Sequence, residues 1–154
     1  MMVTAHVAVG AAVGAFTGDP VLAFLAGTAS HFVMDAVPHL DAGTLMPMGK
    51  EVYQTRDYIW AALDAILCLG FIWLLSTHAA HPSLVIAGGL GGLFPDAFFH
   101  TPPWRKFTRN LPGFHWVQER IHKGWQSTAV PADWFAGLVT QLIAIGVSLW
   151  LLGF

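Results

Sequence analysis

Charge is what this chain has least of. Asp, Glu, Lys and Arg make up 10% of its 154 residues, against roughly a quarter in soluble domains. A soluble domain of this size has a large surface to cover with polar groups. Seven basic and nine acidic side chains do not cover it. Cysteine is nearly absent as well. Cys68, alone in the apolar run Ala-Ile-Leu-Cys-Leu-Gly, excludes an intrachain disulfide. No Lys or Arg precedes the first apolar stretch and a histidine stands inside it, which is not the pattern of a signal peptide. The net charge of −2 gives no global field that would favour nucleic acid.

What the chain has is apolar surface. Hydrophobic residues make up 55% and the mean hydropathy is +0.59. Lipid is the solvent that resolves the shortage of polar groups. Five apolar stretches run over about 3–16, 21–37, 58–76, 83–99 and 134–154. A membrane crossing needs ~20 residues, so the first is short. Thr17-Gly18-Asp19-Pro20 reads as a tight turn between antiparallel helices, and Pro38 closes the second stretch. The expected fold is all-α: an integral membrane bundle of about five transmembrane helices plus an amphipathic interfacial helix. It forms one domain over 1–154, with 101–132 as a cytoplasmic interfacial loop or helix. Gly10, Gly14 and Gly18 repeat at four-residue spacing, as do Gly88 and Gly92, which lets helix backbones approach. No strand pattern precedes them and no Lys-Ser/Thr follows, so they read as packing residues and not as a phosphate-binding loop.

Orientation follows from the basic residues. With five spans, the N-terminus, the loop 39–57 and the loop 101–132 share one side. That side holds Lys50, Arg56, Arg105, Lys106, Arg109, Arg120 and Lys123, which is every Lys and Arg present. The positive-inside rule makes that side cytoplasmic and leaves the C-terminus outside a prokaryotic cytoplasmic membrane.

The ionisable residues inside the spans carry the functional signal. An Asp at a helix centre costs about 2.5–3.5 kcal/mol on insertion scales. This chain places His6, His31, Asp35, Asp64, Asp96 and His100 in four different stretches, all toward the expected cytoplasmic end. His31 with Asp35, and Asp96 with His100, stand at i, i+4, so each pair shares a helix face and can clamp a cation. A single Asp–His pair is also a common structural hydrogen bond. Three buried carboxylates with neutral histidines as partners repel one another, and a divalent cation or shared protons relieve that. The expected metal ligands are His6, His31, Asp35, Asp96 and His100. Further candidates, as ligands or as groups supporting them, are His39 and the stripe His115, Glu119 and His122. That stripe reads equally as the polar face of an interfacial helix between Pro112 and Gly124. Mixed histidine and carboxylate ligands suit zinc, manganese or iron better than Ca²⁺ or Cu⁺. Asp64 lacks a histidine at i±3 or i±4 and is the expected general base or bridging carboxylate. Arg105 and Arg109 lie among aromatic residues suited to the headgroup layer, where they read as a membrane anchor or, more sharply, as candidate phosphate contacts.

These motifs resemble the bacterial membrane-bound metal-dependent hydrolases, grouped with the zinc-dependent phospholipase C superfamily. The matching residues are His6 in Thr-Ala-His-Val-Ala-Val-Gly, His31 and Asp35 in Gly-Thr-Ala-Ser-His-Phe-Val-Met-Asp, and Asp96 in Gly-Leu-Phe-Pro-Asp. His115-x-x-x-Glu119 resembles a second ligand pair of the phospholipases. The Pro-Asp element here follows the Ser-His-x-x-x-Asp element instead of preceding it, and the Arg-Gly-x-Thr-His-Ser segment of the membrane hydrolases is absent. The resemblance implies an all-helical fold, a zinc-type site and phosphoester hydrolysis. The expected activity is therefore a membrane-embedded metal-dependent hydrolase, with membrane lipid as substrate or partner. Two rivals use the same residues: a metal-ion or proton-coupled carrier, and a structural bundle with proton-sharing Asp–His pairs. A carrier needs access from both faces, and the far side offers only Asp19, His78 and His81.

Overall fold

The structure is a computed structural model that describes residues 1–37, 39, 55–100, 105–108, 110–113, 116 and 134–154. Among these residues the fold is all-α, without strands. In chain order the helices are α1 (Val3–Ala15), α2 (Pro20–Asp35), α3 (Thr55–His78), α4 (Pro82–His100), the single turn α5 (Arg105–Thr108) and α6 (Trp134–Leu151). The five long helices stand where the five apolar stretches were expected. Of the interfacial helix expected between Pro112 and Gly124, residues 114–115 and 117–124 lie outside the described residues.

The turn between α1 and α2 is built as its sequence suggests. The Asp19 carboxylate accepts from the backbone N–H groups of Val21 and Leu22, at 2.8 and 3.1 Å. Pro20 takes the first helical position, where a missing N–H costs nothing.

α1 is the axis of the bundle, in contact with α2, α3, α4 and α6. It is buried nearly all round, by Ala5, His6, Val7, Ala8, Ala11 and Ala12 among others. Its side chains are small because its neighbours approach backbone to backbone. A Cβ on Gly10 or on Gly27 would run into the carbonyl oxygen of Gly88, and one on Gly91 into that of Phe24. A Cβ on Gly14 would lie 2.8 Å from the Gly88 Cα. Gly18 was expected to continue this stripe and does not. α1 has ended at Ala15, and Gly18 lies in the turn with open space around it.

Burial is inverted relative to a water-soluble core. His6, His31, Asp35, Asp64 and Gln141 are buried, while Val21, Val33, Ile66, Leu69, Trp73 and Trp150 are two-thirds or so exposed. α3 turns a narrow stripe of Asp64, Cys68 and Leu75 inward and leaves most of its apolar surface uncovered. One helix among the described residues, Tyr58–His78 within α3, is long and apolar enough to cross a membrane. α1 and residues Phe135–Leu151 of α6 are apolar but shorter.

Candidate metal centre

The start of α1, the end of α2 and the end of α4 come together at one end of the bundle. Pro95 lies inside α4, close to this end. Proline has no N–H to give to the carbonyl four residues earlier, so the Gly91 carbonyl is left without its helical donor. The hydroxyl of Thr28 on α2 lies 3.2 Å from it and 2.9 Å from the Phe24 carbonyl oxygen of its own helix, and shares its one proton between the two. One turn on, His31 Nδ1 lies 2.9 Å from the Gly92 carbonyl oxygen. A carbonyl only accepts, so Nδ1 carries the proton. In the neutral ring Nε2 is then a bare lone pair.

That lone pair faces acids. His31 Nε2 is 3.2 Å from Asp35 Oδ2 and 3.9 Å from Asp96 Oδ1. His39 repeats the pattern, with Nδ1 bonded to the Val37 carbonyl oxygen and Nε2 3.9 Å from Asp35 Oδ1. The amino nitrogen of Met1 lies 3.3 Å from the same oxygen.

His6 comes from α1, its ring stacked on that of His31 with centroids 3.9 Å apart. Its Nε2 is 3.1 Å from Asp35 Oδ1. That separation suits an ion pair, but the direction is wrong for a hydrogen bond, and neither buried ring nitrogen has a hydrogen-bond partner among the described residues. A buried polar nitrogen without a partner is costly. A cation would give it one.

His6, His31 and Asp96 offer ligand atoms within 4.8 Å of one another and can hold a metal ion. Two imidazoles and a carboxylate from three helices form a donor set typical of an open tetrahedral site. The Gly92 carbonyl behind His31 is the kind of partner that fixes a ligating histidine's tautomer and orientation. The site has one open side. The side chains of His6, His31 and Asp35 are almost fully buried, whereas that of Asp96 is 24% exposed.

Four expected residues thus meet: His6, His31, Asp35 and Asp96, with His39 beside them. Asp64, expected as the base, has other partners. Its Oδ2 accepts from the Val3 N–H at 2.6 Å, and its Oδ1 accepts from the Thr4 N–H at 3.1 Å and the Thr4 hydroxyl at 2.6 Å. Both oxygens are engaged at the start of α1, which explains how a lone carboxylate survives in an apolar helix without a histidine. His100 ends α4 and Arg105 opens α5, but their side chains lie outside the described residues, as do Arg109, His115, Glu119 and His122. Sequence reasoning passed over Thr28 and the Gly91 and Gly92 carbonyls. The signal was there: a proline inside an apolar helix frees a carbonyl, and Thr28 stands three residues before His31 on the same face.

Comparison with known proteins returns no match of any kind, neither a family model nor a curated protein nor a solved structure.

Proposed function

We propose that this chain is a membrane-embedded metal-dependent hydrolase that acts on a phosphoester, a lipid one, at the cytoplasmic face. The observation that carries the reading is the unsatisfied centre itself. Among the described residues the buried His6 nitrogens have no hydrogen-bond partner, and the His31 lone pair is aimed at Asp35 and Asp96. His6, His31, Asp35 and Asp96 hold the cation in this reading, with His39 and His100 completing or supporting the set. Zinc fits two imidazoles with carboxylates, and manganese or iron are the next candidates. When bound, such an ion supplies Lewis acidity and a water acidified to near neutral pH.

The chain's own residues set the rest. Asp96, on the open side, is the carboxylate nearest an incoming substrate. α5 packs on α4, and Arg105 and Arg109 follow in chain order as phosphate contacts. The exposed apolar face of α3 supports a lipid surround. Asp64 is left out of the reaction because its oxygens are engaged elsewhere. The carrier reading is less well supported. Beyond the centre, α1, α2 and α4 close backbone to backbone around Gly88, which puts packed main chain on that axis among the described residues.

The test is metal content of the detergent-purified protein, followed by a screen of phosphoester lipids. About one zinc or more per chain, lost in His31→Ala, with metal-dependent phosphate or headgroup release, is expected. Bound metal with no hydrolysis moves the assignment to the carrier. Absence of metal in protein refolded or loaded with zinc leaves only the structural bundle.

A further inference from the structure

α1 begins without a cap of its own. Met2, at the capping position, gives no side-chain hydrogen bond. A helix's first turn leaves its N–H groups unpaired, and here they sit inside the bundle. Side chains from two other helices take them. The Met2 N–H donates to Gln141 Oε1 of α6 at 2.9 Å. Val3 and Thr4 donate to Asp64 of α3, which also accepts the Thr4 hydroxyl. His6 lies within a turn of these contacts. Its own N–H closes onto the Met2 carbonyl at 3.3 Å.

We propose that Asp64 and Gln141 are positioning residues: they clamp the start of α1 from outside and thereby set His6 against His31 and Asp35. The chemistry suits the task. A carboxylate at a helix N-terminus meets the positive end of the helix dipole, and charge-assisted bonds are shorter and stronger than neutral ones. With the first turn of α1 held at three consecutive N–H groups, the His6 ring is not free to slide along the axis or rotate away from the centre. Loss of the clamp releases that turn, which carries one cation ligand and no other.

The inference rests on the metal reading only where a cation is measured, so the experiment has a second arm without metal. Co²⁺ alone is the probe in the first arm, read by affinity and by its visible bands. Asp64→Asn offers one acceptor where two are needed, and is expected to weaken Co²⁺ binding about tenfold and alter the bands. Thr4→Val is expected to weaken binding in the same direction, and Thr4→Ser to restore it. In a His6→Ala background Asp64→Asn is expected to change affinity no further, because the clamp acts through His6. Unchanged affinity in Asp64→Asn, or the same loss with and without His6, overturns the proposal. If Asp64→Asn does not survive extraction, Thr4→Val against Thr4→Ser carries the comparison.

In the metal-free arm, diethyl pyrocarbonate modification of His6 is followed by mass spectrometry, with exposed His81 as the internal reference. His6 is expected to react several times faster in Asp64→Asn or Thr4→Val than in the wild type. If the wild type takes up no Co²⁺, the metal reading fails, and this rate decides the clamp by itself. An unchanged rate overturns it.

Discussion

His31 donates its Nδ1 proton to the carbonyl oxygen of Gly92, 2.9 Å away on the neighbouring helix. The acceptor stands one residue beyond the Gly91 carbonyl, the one that Pro95 leaves without a helical N–H donor. A backbone carbonyl on α4 thus fixes the tautomer of a side chain on α2, and the opposite ring nitrogen is turned on two carboxylates.

Removing the proline is therefore expected to harm cation binding from outside the ligand set. In Pro95→Ala the restored N–H competes with the Thr28 hydroxyl for the Gly91 carbonyl and resets the turn that carries Asp96. Zinc affinity measured by competition with a chelating dye is expected to fall by about tenfold or more. An affinity equal to the wild type would show that the interrupted ladder has no part in the site.

The glycine contacts make a second prediction. Gly88→Ala places a methyl group against the Gly10 carbonyl oxygen, where only backbone can yield. Overpacking of this kind costs about 1–3 kcal/mol, and the thermal transition in detergent is expected to drop by several degrees. Gly70→Ala is the matched control, since nothing lies within 4 Å of that position. It is expected to stabilise α3 by roughly 0.5–1 kcal/mol through helix propensity. Equal behaviour of the two variants would contradict the backbone contact.

A third prediction concerns the surround of α3. Ile66 is 65% exposed in the middle of the helix. In lipid, Ile66→Arg is expected to cost about 2.5–3.5 kcal/mol of insertion free energy, and to shift the protein out of the carbonate-resistant membrane fraction. In water the same change is nearly silent. Full retention of yield and membrane association in Ile66→Arg would argue against a lipid-facing α3.

The topology offers a fourth test. Cysteines at Lys50 and Ser83 are expected to label from opposite sides of the membrane, with position 50 reached from the cytoplasm. Labelling of both from one side would remove the five-span arrangement.

Much of the helical layout is legible in the sequence, because each apolar run is bounded by a breaker and the Asp19-Pro20 cap is local. The i, i+4 pairing of His31 with Asp35 is local too, and the structure keeps it at 3.2 Å. The contacts of Asp64 are not legible, for the opposite reason. Its partners, Val3 and Thr4, lie about sixty positions away, and a lone acid in an apolar helix looks the same whether it meets a cation or a helix start. Gly27 was overlooked because it has no glycine at four-residue spacing. Its partner is a backbone oxygen on another helix, which no periodicity within α2 can announce.

Gly88 is the point where α4 touches both Gly10 of α1 and Gly27 of α2. Three main chains locked at one position cannot shear past one another independently. Displacing α4 drags along the helices that carry His6, His31 and Asp35, so the ligand atoms travel as a unit and keep their spacing. A cation held in such a cradle would be selected by radius and preferred coordination shape rather than by collapse of the helices around it. The corresponding signature is a binding enthalpy and heat-capacity change too small to reflect any reordering of the helices, and a rank order among divalent ions that persists when the surrounding detergent is changed.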